Sequence, residues 1–236
     1  IIIGESDPEG CAACSIDYHP QNAYRNGTMY SSYTAASFAR KYELARNHGV
    51  NFIGAVSWSF EFEDQAWFAG FRDLATNGVD KPVLNVFRMF GMMKGDLVDI
   101  KSSAPLSAEE MTRNSVRTSP DINGIASIDE KSAAIMVWNY HDDDLSAQAS
   151  EIELNIKGLG NRRVLVTHYR IDDKFSNSYE VWKAMGRPQN PEPEQYAVLE
   201  QKGQWEMDTS PVWKDVANCR VAVNFSLPRQ GVSLIK

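Results

Sequence analysis

The first ten residues, IIIGESDPEG (residues 1–10), decide how the N-terminal part of this chain is interpreted. Three isoleucines predict a short buried β-strand, and the Pro and Gly that follow predict a loop. Glu5 stands at the junction between them, which is where a (β/α)8 barrel enzyme places catalytic groups. The alternative is that Glu5 is an ordinary loop residue or an aid to helix capping.

Two successive strand and helix units are predicted in residues 1–95. Apolar residues at helical spacing predict a helix that begins near Thr28 and ends before Gly49. Residues 50–58 then have the nearly continuous apolar character of a buried strand in a parallel sheet. A second helix is expected from Pro82 to Gly91. Repeated units of this kind are typical of a parallel α/β fold.

From residue 96 onward the pattern changes to short strands separated by turns. Alternating or β-branched stretches predict strands at residues 96–102, 124–128, 132–140, 151–156, 163–171 and 220–225. Two short helices are predicted between them, at residues 179–185 and 193–201. Residues 96–236 are therefore predicted to form an antiparallel β-sandwich with short helical insertions.

The composition excludes several classes of protein. With 236 residues, 43% of them hydrophobic, the chain can bury a core, and no apolar run approaches the length of a membrane span. A net charge of −7 offers no basic surface for nucleic acid or for an acidic membrane. Because the chain has no initiator Met and begins in a predicted strand, we expect it to be a piece of a longer protein.

Three cysteines are too few for a disulfide scaffold or a four-ligand zinc site. Cys11 and Cys14 form a C-x-x-C motif, but they lie in a loop rather than at the start of a thioredoxin-like helix. We predict that they are unpaired loop cysteines, with a local disulfide as the next alternative.

Polar and aromatic residues also follow the second predicted strand, in WSFEFEDQ (residues 58–65). Because adjacent strands of a parallel barrel end at the same face, we expect this stretch to lie beside Glu5. Its Trp can stack on a sugar ring, and the carboxylates of Glu61 and Glu63 can accept hydrogen bonds from sugar hydroxyls. The alternative is that its two phenylalanines are core residues and its carboxylates lie on a solvated loop.

Six stretches, distributed over essentially the whole chain, occur in the order in which a known family has them. They are residues 3–11, 24–27, 58–64, 77–84, 137–141 and 227–234. Together they resemble the C-terminal part of a bacterial β-xylosidase of glycoside hydrolase family 39. The resemblance implies that residues 1–95 are the last two units of a (β/α)8 TIM barrel and that residues 96–236 are its β-sandwich accessory domain.

The resemblance also implies roles for individual residues. Glu5 would be the nucleophile of a retaining double displacement. The acid/base Glu of such enzymes follows an Asn at the end of the fourth barrel strand, which has no counterpart in this chain. The residues expected to bind the sugar are Trp58, Glu61 and Glu63, with Tyr24 and Arg25 as weaker candidates whose alternative role is loop packing. No metal or organic cofactor is implied.

We therefore predict a retaining β-xylosidase that releases xylose from xylo-oligosaccharides. Its acid/base residue would lie in a missing N-terminal barrel portion, so this chain alone should be inactive, and residues 1–93 in isolation should be unstable or should associate. The alternatives are a non-catalytic carbohydrate-binding or assembly module, or an α-L-iduronidase or α-arabinosidase activity within the family. Homo-oligomerisation is left open, and the expected compartment is the bacterial cytoplasm or periplasm.

Three other features receive an ordinary structural interpretation. The stretch HDDD (residues 141–144) lacks the spaced ligands of a calcium loop and is predicted to be a solvated turn. His168 lies within a predicted strand and is expected to be a hydrogen-bonded structural histidine. Trp138, Trp182 and Trp205 are assigned to packing rather than to a carbohydrate-binding surface.

Overall fold

Two short parallel strands begin the N-terminal region. The computed structural model describes residues 1–160 and 162–236. Strand β1 (Ile2–Ile3) pairs with β2 (Gly54–Ala55), with Ile2 opposite Gly54 and Ile3 opposite Ala55. Their parallel direction agrees with the predicted α/β arrangement. The described residues form no closed barrel.

Each of these strands is followed by a helix, as predicted. Helix α1 (Thr28–Asn47) comes after a short 3-10 helix (Pro20–Asn26), and α2 (Pro82–Met92) comes after a small hairpin of β3 (Ala75–Thr76) and β4 (Val79–Asp80). A proline suits the first turn of α2 because the N–H that it lacks would have no partner there. The hairpin and the 3-10 helix were not predicted.

The second strand is much shorter than expected. Residues 50–58 are predicted to be a largely buried strand, yet only Gly54–Ala55 pair as one, and Ile53 and Val56 are 67% and 52% exposed. This prediction is wrong for the chain as described. A barrel strand becomes buried when it has neighbours on both sides and packed layers inside. Among the described residues, β2 has only β1 beside it.

A six-stranded antiparallel sheet and a two-stranded sheet form the C-terminal region. The strands are β5 (Asp96–Val98), β6 (Asp121–Ile128), β7 (Ala133–Tyr140), β8 (Ser150–Lys157), β9 (Arg163–Ile171), β10 (Glu206–Asp215), β11 (Arg220–Leu227) and β12 (Val232–Ile235). The larger sheet has the order β10-β9-β12-β7-β6-β5, and β8 pairs with β11. All six predicted strands are present, with β5 shorter than expected, and β10 and β12 are additional.

Strand β7 shows how the larger sheet is covered on both faces. Successive side chains of a strand point to opposite sides. Met136 and Trp138 pack against apolar residues of α1 and α2. Ile135 and Val137 pack against the smaller sheet of β8 and β11. The larger sheet therefore lies between the two N-terminal helices and the smaller sheet, and this packing joins the two regions of the chain.

Three further helices connect the strands: α3 (Ala108–Asn114), α4 (Ser178–Ala184) and α5 (Pro193–Gly203). The two predicted helices correspond to α4 and α5, and α3 is additional. Trp182 of α4 packs in a cluster with Phe68 from the loop after β2. Trp138 and Trp182 are both buried, so their assignment to packing is confirmed, whereas Trp205 is 38% exposed and stacks on Tyr169.

Cys11 and Cys14 form a disulfide, so the prediction of unpaired loop cysteines is wrong and its alternative is correct. The turn that contains them brings their Cα atoms to 5.5 Å, a separation that a disulfide spans. Cys219 is free and exposed.

The two histidines of the C-terminal region have structural partners. His168 is buried and shares a hydrogen bond of 2.9 Å with Ser233, as predicted. His141 Nε2 donates to the carbonyl of Arg117 at 3.0 Å. In the part of the chain that the structure describes, no group of three or more His, Cys, Asp or Glu is placed to hold a metal ion, and no helix is long and apolar enough to cross a membrane.

Candidate active site

The C-terminal ends of β1 and β2 lie side by side. Val56 N donates to the Ile3 carbonyl at 3.1 Å, and Ser6 N donates to the Val56 carbonyl at 3.0 Å, so the pairing continues beyond the strands. This geometry agrees with the expectation that Glu5 and the stretch beginning at Trp58 share one edge of the sheet.

Glu5 is half-exposed and forms an ion pair with Arg72. The Glu5 side chain is 51% exposed, whereas that of Arg72 is only 2% exposed. Burial lowers the pKa of Arg72, yet a guanidinium remains protonated under conditions in which proteins are folded. A permanent positive charge therefore stands behind a carboxylate that faces solvent.

Arg72 is held in place by several groups. Its Nε lies 3.5 Å from Asp7 and donates to the Trp58 carbonyl at 3.3 Å, and its Nη1 donates to the Glu9 carbonyl. Its main chain is fixed as well, because Ser59 N donates to the Arg72 carbonyl at 2.8 Å. Next to it, Lys81 and Asp73 form a buried ion pair, in which burial lowers the pKa of Lys81 and raises that of Asp73.

Asp7 lies beneath this surface, with a side chain that is 2% exposed. It accepts hydrogen bonds from the hydroxyls of Tyr30 and Ser57 at 2.8 and 2.7 Å and from Trp58 N at 3.3 Å. Burial and the Asp7 charge raise the pKa of Tyr30, so this hydroxyl keeps its proton and remains a donor. One buried carboxylate therefore connects α1, the residues after β2 and the loop after β1.

Tyr24 and Arg25 hold the loop that follows β1. Both donate to the carboxylate of Glu9, Arg25 at 3.0 Å, and Arg25 also donates to the Cys11 carbonyl at 2.9 Å. Arg25 is 1% exposed. Burial and the bond to Glu9 raise the pKa of Tyr24. These contacts favour the loop-packing alternative, and a substrate-binding role for either residue stays a prediction.

The residues after β2 differ in how freely they face solvent. Trp58 and Phe60 are 56% and 60% exposed, so Phe60 is not the core residue that the alternative required. Glu61 accepts a hydrogen bond of 2.8 Å from Gly78 N and thereby holds the turn between β3 and β4. Glu63 is exposed. Of the three sugar-binding candidates in this stretch, Trp58 and Glu63 are free to meet a ligand.

The site is an open surface rather than an enclosed pocket. A cavity of about 530 Å³ lies between α1 and residues 97–107 and does not include Glu5 or Trp58. A complete (β/α)8 barrel surrounds its active site with the ends of eight strands, and β1 and β2 supply only two of them.

Comparison of the sequence with known families gives a match over most of the chain. The family described as glycosyl hydrolases family 39 matches residues 10–216. The chain belongs to this family. Members of this family are described as glycosyl hydrolases.

Solved structures of family 39 enzymes share the fold. A family 39 enzyme from Xanthomonas axonopodis pv. citri is 16% identical with a TM-score of 0.71, covering 94% of this chain and 42% of that one. A monomeric β-xylosidase from Caulobacter crescentus is 18% identical with a TM-score of 0.68, covering 94% and 43%. A bacterial orthologue of human α-L-iduronidase is 14% identical with a TM-score of 0.80, covering 100% and 41%. The chain thus spans about two fifths of the length of these proteins.

The family 39 match begins at residue 10, beyond Glu5. The placement of Glu5 therefore rests on the pairing of β1 with β2 and on the ion pair with Arg72. Sequence reasoning assigned no role to Arg72 or Asp7. The sequence does contain one signal for Arg72, which follows the mostly apolar stretch AWFAGF (residues 66–71). An arginine that is buried in such surroundings needs a charged or polar partner.

Proposed function

We propose that this chain is the C-terminal part of a retaining glycosidase in which Glu5 is the nucleophile. The observation that carries the proposal is the half-exposed Glu5 carboxylate at the end of β1, paired with the buried Arg72 and adjacent to the exposed Trp58. A carboxylate in this position can reach a sugar in solution, and the ion pair with the guanidinium behind it holds it at the end of β1.

In the proposed reaction, Glu5 attacks the anomeric carbon and the aglycone leaves, which forms a covalent glycosyl-enzyme. Water then attacks the same carbon, releases the sugar with its original configuration and regenerates the Glu5 carboxylate. A second carboxyl group, about 5–5.5 Å from the first in retaining enzymes, protonates the leaving oxygen and later activates the water. We propose that this group lies in a preceding part of the protein, since the open two-stranded sheet of β1 and β2 supplies only part of a barrel.

Trp58 would form the apolar floor of the sugar site. The C–H face of a pyranose packs against an aromatic ring, and the carboxylate of Glu63 is near in sequence and exposed, so that it can accept hydrogen bonds from hydroxyls. We propose a β-xyloside as substrate, which is supported by the resemblance of the sequence motifs to β-xylosidases. The α-L-iduronidase type of activity is the principal competitor, because an orthologue of that enzyme shares the fold.

The test uses the complete protein that contains this chain. Its hydrolysis of matched aryl β-xyloside, α-L-iduronide and α-L-arabinoside is compared, and the proposal expects the β-xyloside to react fastest. Glu5→Ala should lose at least about 10³-fold in kcat, and azide should restore turnover with an α-xylosyl azide as product. Glu109→Gln, an exposed carboxylate on α3, is the matched control and should behave as wild type. A Glu5→Ala variant that hydrolyses the substrate like wild type would refute the assignment.

The 236-residue chain by itself should not hydrolyse any of these substrates, because it lacks the proposed second carboxyl group. Turnover by the isolated chain that disappears in Glu5→Ala would show instead that both groups are in residues 1–236.

A non-catalytic sugar-binding role is the second candidate, and the exposed aromatic residues along β9 and β10 favour it. Trp213 is 57% exposed and lies opposite Leu165, while Trp205 stacks on Tyr169, four residues further along β9 and therefore on the same face. Calorimetry of the isolated chain with xylo-oligosaccharides tests this role, with Trp213→Ala as the variant. Binding that the substitution does not weaken would exclude this face.

A further inference from the structure

We propose that Asp7 is a positioning residue for the nucleophile: it anchors Arg72, and Arg72 in turn holds the Glu5 carboxylate in the orientation for attack. The inference rests on the proposed function of Glu5 and deepens it. Asp7 itself is buried and does not touch the substrate.

The surroundings of Asp7 consist of donors alone. Two hydroxyls, one main-chain amide and the Arg72 guanidinium surround its carboxylate, at 2.7 to 3.5 Å. A carboxylate offers about four lone-pair positions; the two hydroxyls and the amide donate to it, and the Arg72 guanidinium forms an ion pair with it. An amide side chain of the same shape would turn two N–H groups toward these donors. The site therefore suits a side chain that accepts hydrogen bonds through both oxygens and donates none.

Arg72 transmits this constraint to Glu5. A guanidinium is planar, and its five N–H groups point in fixed directions. Nε faces Asp7 and the Trp58 carbonyl, Nη1 donates to the Glu9 carbonyl, and only Nη2 reaches Glu5. Because the plane is set by the first three contacts, the position of Nη2 beside the Glu5 carboxylate is set as well.

Glu5 depends on this contact for its orientation. Its side chain is half-exposed, and among residues 1–160 and 162–236 its carboxylate has Arg72 as its one ion-pair partner. Without the ion pair, the side chain can occupy other rotamers in solvent. A reacting carboxylate must lie about 3–3.5 Å from the anomeric carbon, and a misplacement of about 1 Å can cost about 10²-fold in rate.

Asp7 also fixes the other wall of the proposed site, because it accepts a hydrogen bond from Trp58 N. This contact holds the main chain, whereas the exposed Trp ring supplies the stacking surface. We therefore expect loss of Asp7 to lower kcat far more than it raises KM. A merely structural residue would change neither constant once the enzyme is folded.

The experiment compares Asp7→Asn with Asp121→Asn in the complete protein. Asp121 is an equally buried carboxylate that pairs with Arg40 at 3.2 Å and accepts hydrogen bonds of 2.9 Å from Trp138 Nε1 and Leu106 N, but it lies in the sandwich. Both variants lose stability, so both are assayed well below their measured Tm. The rate of trapping by a 2-deoxy-2-fluoro-β-xylosyl fluoride reports attack by Glu5 directly, because the fluoride leaves with little acid assistance.

Asp7→Asn is expected to slow trapping and kcat by about 10²-fold with a change in KM of less than about fivefold. Asp121→Asn is expected to trap at the wild-type rate. Equal trapping rates in Asp7→Asn and wild type would overturn the inference. If Asp7→Asn does not fold, Ser57→Ala is used instead, because it removes the hydroxyl that donates to Asp7 at 2.7 Å. This variant should slow trapping several-fold, and an unchanged trapping rate would overturn the inference. Activity that survives in Glu5→Ala overturns the proposed function instead, so the two failures are distinguishable.

Discussion

Acid should destabilise the C-terminal sandwich through His168, and a substitution at this position should remove the effect. The residue is 6% exposed and its ring packs on Phe225, with centroids 4.8 Å apart. Nε2 shares a hydrogen bond of 2.9 Å with Ser233, and Nδ1 lies 3.5 Å from Asp208. Burial, and then the charge of Arg170, lowers the pKa of His168 to about 4, although Asp208 acts in the opposite direction.

The sign and size of the effect follow from this pKa. Because the folded-state pKa is below the ordinary 6.5, the unfolded chain binds the proton first as the pH falls. The free energy of unfolding therefore decreases between pH 6.5 and about 4 and does not change further through this group below that range. One pKa unit corresponds to about 1.4 kcal/mol, so the penalty from His168 is about 2 to 3 kcal/mol at pH 4.5.

The assay is urea unfolding of the chain at pH 7 and pH 4.5, followed by circular dichroism. His168→Gln should be about 1 kcal/mol less stable than wild type at pH 7, because it weakens the hydrogen bond to Ser233. At pH 4.5 it should equal or exceed wild type, since Gln has no proton to bind. His48→Gln, at the exposed end of α1, is the control and should leave the pH dependence unchanged. A difference between wild type and His168→Gln that is the same at both pH values would refute the reasoning.

The disulfide, the sandwich core and the proposed sugar site can each be tested by one experiment. Iodoacetamide should label only Cys219 in the unfolded chain before reduction, and Cys11 and Cys14 as well after reduction. The labels are counted by mass spectrometry, and three labels without reduction would exclude the disulfide. Leu234 is 0% exposed in the central strand β12. Leu234→Ala should therefore lower the free energy of unfolding by about 2–5 kcal/mol, and a loss below about 1 kcal/mol would contradict this packing. Trp58→Ala should raise KM of the complete enzyme about tenfold with a smaller change in kcat, and unchanged steady-state kinetics would remove Trp58 from the sugar site.

Four of the five described α-helices and most sandwich strands were predictable because their determinants are local. The start of α2 follows from Pro82 and its apolar spacing, and the strict alternation of residues 151–156 corresponds to β8. The additional strands lack such a signal. Edge strand β10 contains Pro211 and exposed polar residues, and β12 has only four residues, all buried, so both depend on their neighbours for their conformation.

The candidate site was predictable only in part. Glu5 and Trp58 were identified because each lies at the end of a predicted strand, and neighbouring parallel strands end at one edge. Their catalytic and binding roles stay proposals. Arg72 and Asp7 were not assigned roles because their significance lies in contacts between residues far apart in the chain, such as the pairing of residue 72 with residue 5.

The amino-acid sequence by itself determined the local elements, the order of α/β and all-β regions and the family, because hydrophobic periodicity, turn residues and motifs are properties of short stretches. The tertiary structure decided which of these elements meet. It paired Cys11 with Cys14, reduced the second predicted strand to Gly54–Ala55 and placed the buried Arg72 against Glu5. The physical reason is that burial and ion pairing depend on distances between segments, and these distances exist only once the chain has folded.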